Sequence, residues 1–122
     1  MAVIRGKLRE RKTTTKILCL YKNMDEQGFN DVSFKAKQAG YLFFPYHAFI
    51  DYQGVIHEGR EKNAVGNAEI DTTEEAFTIL VDAPSSTRVT VAQREAVVKV
   101  CEEYPQAEFI EYEGYINEDQ IL

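Results

Sequence analysis

Cysteine and long apolar runs are both scarce in this sequence, and each shortage argues against a class of protein. The two cysteines, Cys19 and Cys101, are too few for the disulfide framework of a small secreted domain, so we expect buried thiols. No uninterrupted apolar run approaches the ~20 residues that span a bilayer. Residues 1–16 lack the apolar core and cleavage site of a secretory signal. These shortages predict a cytoplasmic protein with no membrane contact.

Several familiar sequence motifs of catalysis and nucleotide binding are also missing. No GxGxxG, P-loop, GxSxG, HExxH or CxxC pattern occurs in the sequence. No internal repeat, low-complexity segment or linker divides the chain either. With 122 residues, it is large enough to bury a core without covalent cross-links. We therefore predict a single domain over residues 1–122.

Charge is distributed unevenly along the chain, whose net charge is −6. A basic N-terminal segment (1–16) contrasts with an acidic loop (67–75) and an acidic C-terminal tail (113–122). Either kind of segment can mark a partner of opposite charge. The alternative is that both are solvated surfaces which neutralise one another in the fold. Because the whole chain is acidic, nucleic acid is an improbable partner.

The first part of the chain predicts a strand followed by a short helix. Residues 16–21, KILCLY, form an apolar run that is too short for a helix and indicates a buried strand. Asn30 or Asp31 can cap a helix over residues 32–39, and Gly40 can end it.

The centre of the chain predicts a β-hairpin that contains both histidines. Residues 46–51, YHAFID, are rich in aromatic and branched side chains, as strands are. Tyr52, Gln53 and Gly54 supply a turn, and residues 55–58 return as the second strand. If the chain has a chemical site, we expect it in this hairpin.

The remaining sequence predicts a strand, a helix and a last strand. Residues 76–81, AFTILV, read as a buried strand, and residues 107–112 as the last one. Thr90 and Gln93 have the spacing of a capping box. Val97, Val100, Cys101 and Tyr104 follow at the spacing i, i+3, i+4 and i+7, which predicts one face of an amphipathic helix. Alternating strands and helices predict an α/β fold with a single central mixed sheet flanked by helices.

One stretch of the sequence carries a family resemblance. The stretch runs from Gly40 to Gly66 and matches, at fixed spacings, a sequence pattern that a known protein family shares. The matching positions are Gly40-Tyr41-Leu42, Tyr46-His47, Ile50, Gly54, Gly59-Arg60 and Val65-Gly66. In this respect the chain resembles the zinc N-acetylmuramoyl-L-alanine amidases of the small phage lysozyme and peptidoglycan-recognition type. The resemblance implies a sheet of about five strands and a site floor built by the central hairpin.

The zinc ligands of that family do not carry over to this sequence. The resemblance puts Leu20 where the first histidine ligand belongs, and residues 109–113 of the last strand contain no histidine. Cys19 is adjacent, but one step along a strand points to the opposite face. Glu113 could bind a metal only if the last strand were placed differently. We therefore expect no metal site and no cofactor, zinc included, and we lean against an enzyme.

Tyr46 and His47 are the candidate vestiges of catalysis. The resemblance implies that Tyr46 lies near the metal and assists the reaction, whereas without zinc it serves as a buried ring. His47 lies on the alternate strand face, which favours a core or supporting role. His57 could form a proton-transfer pair with Glu58 or be solvated. Arg60 is expected to hold a turn or an ion pair.

The resemblance also suggests a function without catalysis, because a small phage lysozyme of this type binds and inhibits its phage RNA polymerase. The hypothesis is a catalytically inactive, phage-encoded inhibitor or regulator that binds a polymerase or host defence factor in the host cytoplasm. The expected binding residues are Arg5, Lys7, Arg9, Arg11, Lys12, Glu69, Asp71, Glu74 and Glu75. The alternative is peptidoglycan binding, or amidase activity in cell-wall lysis. A structural or assembly component is a third possibility.

Overall fold

The computed structural model describes residues 13–41, 44–62, 64 and 75–112, and the account below concerns these. In chain order they form the following elements: β1 (Lys16–Lys22), α1 (Phe29–Gln38), β2 (Ala48–Ile50), β3 (Ile56–Glu58), β4 (Ala76–Asp82), α2 (Val91–Cys101) and β5 (Glu108–Tyr112). A single 3-10 turn, Ser86–Arg88, precedes α2. None of these helices is both long and apolar enough to cross a bilayer.

The five strands form one mixed sheet in the order β3-β2-β4-β1-β5. The strands β2, β4, β1 and β5 run parallel, and β3 is antiparallel to β2. The strands β1 and β4 pair along their full lengths, from Lys16 opposite Ala76 to Lys22 opposite Asp82. Every residue of β4 is buried. The predicted α/β fold with one mixed central sheet is confirmed.

Alternation along β1 divides the core between the two faces of the sheet. Leu18 and Leu20 belong to one apolar cluster, which also contains Val32 and Ala36 of α1. Cys19 belongs to the other, which also contains Ala96 and Val100 of α2, with Ile17 and Tyr21 on the same face. Successive strand side chains point to opposite faces, so each helix covers one face of the sheet.

Helix α1 begins earlier than the sequence suggested. Its N-cap is Gly28, which makes no side-chain cap, so the prediction that Asn30 or Asp31 caps the helix is wrong. The additional turn places the ring of Phe29 edge-on to that of Phe44, at a centroid distance of 5.2 Å. This aromatic contact, rather than a capping hydrogen bond, fixes where the helix starts.

The end of α1 is the one that the sequence predicted. Gly40 has a φ of 100°, in the left-handed region, and its amide donates to the carbonyl of Lys37. The amide of Tyr41 donates to the carbonyl of Ala36. This pair of bonds is a Schellman motif, which satisfies carbonyls that the helix end would leave unpaired.

The central hairpin exists, with shorter strands than expected. Both β2 and β3 contain three residues, joined through the turn that the sequence predicted. Gly54 in this turn has a φ of 85°, and a Cβ atom there would lie 2.6 Å from the Cβ of Ala92. Glycine is therefore required both by the backbone conformation and by the contact with α2.

Helix α2 starts with the predicted capping box of Thr90 and Gln93. The side-chain oxygen of Gln93 accepts from the amide of Thr90 at 3.0 Å. Its nitrogen Nε2 donates to the carbonyl of Asp51 at 3.0 Å and to that of Asp82 at 2.7 Å. One buried amide therefore joins the start of α2 to the ends of β2 and β4.

We expect Gln93→Leu to reduce the free energy of unfolding by about 2–3 kcal/mol, because buried carbonyls would each lose a donor. Urea denaturation measures this change. The matched control is Glu95→Leu on the exposed side of the same helix, which should alter stability by less than about 0.5 kcal/mol. Equal effects of the two substitutions would contradict a central role for the Gln93 amide.

Candidate functional site

The position that the family resemblance assigns to zinc lies in an apolar core. Leu20 and Tyr46 are both 0% exposed and belong to the cluster beneath α1. The ring of Phe44 packs edge-on against that of Tyr46, with centroids 6.0 Å apart. Leucine has no atom that can bind a metal. The described part of this region is therefore built for packing rather than for metal binding.

His47 lies on the opposite face from Tyr46, as the strand alternation predicted, and its ring stacks on that of Phe77. The amide of Thr78 can only donate, so the Nδ1 atom that it contacts at 2.9 Å must accept. The Nε2 atom, 2.7 Å from the carbonyl oxygen of Ala64, must then carry the proton. His47 is thus a buried, neutral histidine that ties Ala64 to the sheet.

Arg60 and Gly59 close the loop that follows β3. The Arg60 side-chain Nε donates to the carbonyl of Phe44 at 3.0 Å, and its backbone amide donates to that of Tyr46 at 2.7 Å. Burial lowers the pKa of the guanidinium, but arginine remains charged at physiological pH. A Cβ at Gly59 would lie 2.4 Å from the Tyr46 carbonyl oxygen, so only glycine fits there. The expectation that Arg60 holds a turn agrees with this geometry.

The other candidate metal donors are no better placed in the described residues. Cys19 points to the α2 face, and burial raises its pKa to about 12, which disfavours the thiolate that zinc needs. Tyr21 donates a hydrogen bond to the carboxylate of Glu111 beside it. Nowhere in the described ranges do three His, Cys, Asp or Glu side chains converge as metal ligands would. Glu113 lies outside them. The residues that the structure describes therefore do not form a zinc centre of the family type.

The hairpin contains a pair of titratable groups that the sequence did not reveal. The Nε2 of His57 is 2.8 Å from Oδ2 of Asp51, and its ring stacks on that of Phe29 at 5.2 Å. The sequence left open a pair with Glu58 or a solvated His57, whereas the structure pairs His57 with Asp51. Asp51 also accepts the amides of Gln53 and Val55, both at 2.9 Å. An aspartate three residues before a turn glycine was the available signal for such an Asx turn.

The environment of Asp51 has opposing effects on its pKa. Burial raises the pKa of this carboxyl, but the hydrogen bonds from His57, Val55 and Gln53 together lower it below its ordinary value. Because the folded pKa is depressed, the ionised carboxylate stabilises the fold above the unfolded pKa of about 3.9. That contribution disappears as the pH falls through the folded pKa.

We expect Asp51→Asn to lower the free energy of unfolding by about 1 kcal/mol at neutral pH, since it removes a charged acceptor. The difference from wild type should shrink as the medium is acidified through the lowered pKa. Denaturant titrations at several pH values measure both effects. Glu58→Gln, an exposed neighbour in the same hairpin, should leave the pH profile unchanged; the reverse pattern would refute the Asp51 assignment.

A polar cavity of about 370 Å³ opens beside the loop after β3. Its lining combines both charge signs with buried His47: His47, Glu58, Gly59, Arg60, Glu61 and Lys62. Lys62 pairs at 2.9 Å with Glu103, and this hydrogen bond raises the pKa of the lysine. The pair links the lining of the cavity to the segment that follows α2.

The basic segment and the acidic loop end next to each other, where β1 and β4 begin. The Thr13 hydroxyl donates to the carboxylate of Glu75 at 3.2 Å, and the Thr15 amide donates to the Glu75 carbonyl at 2.9 Å. On the other side, Glu108 donates its amide to the Thr15 carbonyl. The other expected binding residues lie outside the described ranges: Arg5, Lys7, Arg9, Arg11, Lys12, Glu69, Asp71 and Glu74.

Solved structures of an amidase, a phage endolysin and a peptidoglycan recognition protein share this fold. An N-acetylmuramoyl-L-alanine amidase from Clostridium intestinale aligns with a TM-score of 0.68 at 18% identity, covering 86% of this chain and 78% of its own. An endolysin of a Thermus scotoductus bacteriophage aligns with a TM-score of 0.64 at 18% identity, covering 85% and 75%. Drosophila peptidoglycan recognition protein SD gives 0.69 at 11%, covering 87% and 73%.

These likenesses establish the fold and nothing finer, because the identities are low. The sheet and its two helices match the architecture shared by the phage amidases and the peptidoglycan recognition proteins. The chain has the amidase-like fold. No model of a protein family matches the sequence, and no curated protein does so.

Proposed function

We propose that this chain is a binding protein on an amidase-like fold and does not hydrolyse peptidoglycan by the zinc mechanism. The observation that supports the proposal is the burial of Leu20, at the position that the resemblance assigns to the first histidine ligand, together with Tyr46 in the apolar core. His47 is likewise committed to hydrogen bonds within the fold. A zinc-activated water needs three protein ligands and an open position, and the described residues offer neither.

The partner that we propose is a protein, and the charged sheet end is where it binds. The bonds from Thr13 and Thr15 to Glu75 join the last residues of the basic segment to the last residue of the acidic loop. Charged segments suit a partner of complementary charge, and such complementarity increases the rate of association. The role that fits is inhibition or regulation of a polymerase or a host defence factor by a phage-encoded protein in the host cytoplasm.

A second candidate, peptidoglycan binding, is favoured by the structural neighbours. One of them is named a peptidoglycan recognition protein, and another solved complex pairs two such ectodomains with tracheal cytotoxin. Binding of a cell-wall fragment needs no metal, so it is compatible with the buried Leu20. Retention of the purified protein on insoluble peptidoglycan would support this candidate, whereas absence of retention favours the protein partner.

We expect the double reversal Arg9→Glu and Arg11→Glu to weaken a complex with the partner polymerase or host factor by at least about tenfold, because it inverts the charge of the basic segment. Titration calorimetry with a phage or host RNA polymerase measures the affinity. Lys35→Glu with Lys37→Glu on α1 is the matched control, with the same change in net charge. Equal weakening by both pairs would leave only a net-charge effect and contradict the proposed surface.

The absence of zinc chemistry is tested separately. Protein purified with zinc available should contain substoichiometric metal, and its melting temperature should not respond to a chelator. Muramoyl-alanine bond cleavage should be undetectable in the same preparation. Stoichiometric zinc together with a chelator-sensitive melting temperature would refute the non-hydrolytic proposal and leave the binding surface to be judged independently.

A further inference from the structure

Asp82, the last residue of β4, is a buried carboxylate with one unsatisfied oxygen. Its side chain is almost entirely enclosed, with the residue only 6% exposed. Oδ1 accepts the amide of Met24 at 2.7 Å. Among the residues that the structure describes, Oδ2 is the buried side-chain polar atom without a hydrogen-bond partner. An ionised oxygen in that position is unfavourable, because burial removes its hydration without replacing it.

The segment that wraps this carboxylate is itself strained. Residues 24–27 form a tight turn closed by the Gln27 amide and the Met24 carbonyl. Its two central residues, Asp25 and Glu26, both have left-handed backbones, with φ of 57° and 59°. Such a conformation is costly for residues other than glycine. The turn therefore holds two acidic residues next to a third, enclosed one.

The groups around Asp82 leave its negative charge poorly compensated. Burial raises the pKa of Asp82, the Met24 and Glu26 amides lower it, and the negative charges of Glu26 and Asp25 raise it further, so the balance is a raised pKa. From β1 the facing residue is Lys22, the register neighbour of Asp82. From α2 the neutral amide of Gln93 donates to the backbone carbonyl of Asp82, as it does to that of Asp51 at the end of β2.

This turn leads directly into α1. Gly28 is the N-cap, and Phe29, the first helical residue, stacks on His57. Residues 24–27 therefore connect the Asp82 carboxylate to the aromatic contact that sets the start of the helix. A change in the turn is transmitted to the first turn of α1, because no side-chain cap holds that end independently.

We propose that Asp82 acts as a pH-dependent latch on the turn 24–27 and the first turn of α1, closed when its enclosed carboxyl carries a proton. With the proton on the carboxyl, the enclosed oxygen is neutral and the turn stays closed over it. When the proton leaves to solvent, the charged oxygen is repelled by Asp25 and Glu26 and needs water. The turn then opens to admit it. This inference is independent of the proposed binding function.

The sign of the pH dependence follows from the raised pKa. Between the unfolded value of about 3.9 and the folded value, the folded chain binds more protons than the unfolded chain. Stability of the closed turn is therefore full at the acidic end of this window and decreases as the pH rises through the folded pKa. Asp51 behaves in the opposite sense, so the two carboxylates are separable.

Nuclear magnetic resonance of the full chain tests the latch. The side-chain carboxyl carbon of Asp82 should titrate at a higher pH than aspartate in an unstructured peptide. Across the same range, the amides of Gln27 and Val32 should lose protection, with an opening constant that rises by up to about tenfold per pH unit. Exchange rates are corrected for the intrinsic dependence on pH. A carboxyl midpoint at or below the peptide value overturns the proposal.

Variants assign the effect to the proposed groups. Asp82→Asn should abolish the pH dependence of turn protection, and Asp25→Asn with Glu26→Gln should move its midpoint to lower pH. The latter two residues are exposed, so this variant should fold normally. Glu95→Gln on α2 is the control and should behave as wild type. A wild-type profile in Asp82→Asn, or a profile set by added calcium rather than by pH, overturns the proton latch.

Discussion

The side chain of Gln93 joins the start of α2 to the ends of the strands β2 and β4. Its amide completes the capping box of α2 and reaches the carbonyls of Asp51 and Asp82 at the ends of two parallel strands. A buried amide with its donors and acceptor satisfied stabilises a single position of α2. Any shift of the helix would leave buried polar groups without hydrogen-bond partners. The position of α2 over the sheet, and with it the packing of the second core cluster, depends on this one residue.

The residues that look most reactive in the sequence hold the structure together instead. The ring of His47 hydrogen-bonds to the backbone of Thr78 and of Ala64. The side chain of Arg60 donates to the carbonyl of Phe44. Tyr46 packs in the same apolar cluster as Leu20. The buried polar groups of His47 and Arg60 make hydrogen bonds within the fold, because burying them unpaired would cost free energy. In this amidase-like fold, these polar side chains thus take part in the internal packing and hydrogen bonding of the chain.

The titratable residues outside that framework cluster at the carboxyl ends of the strands. Asp51 with His57 and Asp82 with the turn 24–27 both lie against the start of α1. Their pKa values are shifted in opposite directions, because Asp51 is surrounded by donors and Asp82 by burial and like charge. The opposite, N-terminal end of the sheet carries the junction of the basic and acidic segments at Glu75. The two ends of one small sheet therefore differ in chemical character.

The sequence by itself determined the elements whose signals are local. The apolar runs of β1 and β4, the Thr90–Gln93 capping box, the Gly40 helix end and the Gly54 turn all follow from side-chain periodicity and backbone preference. The order of strands and helices predicted one central sheet, with which the family resemblance agreed, and strand alternation separated Cys19 from Leu20. Only the tertiary structure decided contacts between residues far apart in the chain. These include the start of α1 at Phe29, the choice of Asp51 over Glu58 by His57, and the burial of Asp82. Each is set by packing and by desolvation, which no local pattern encodes.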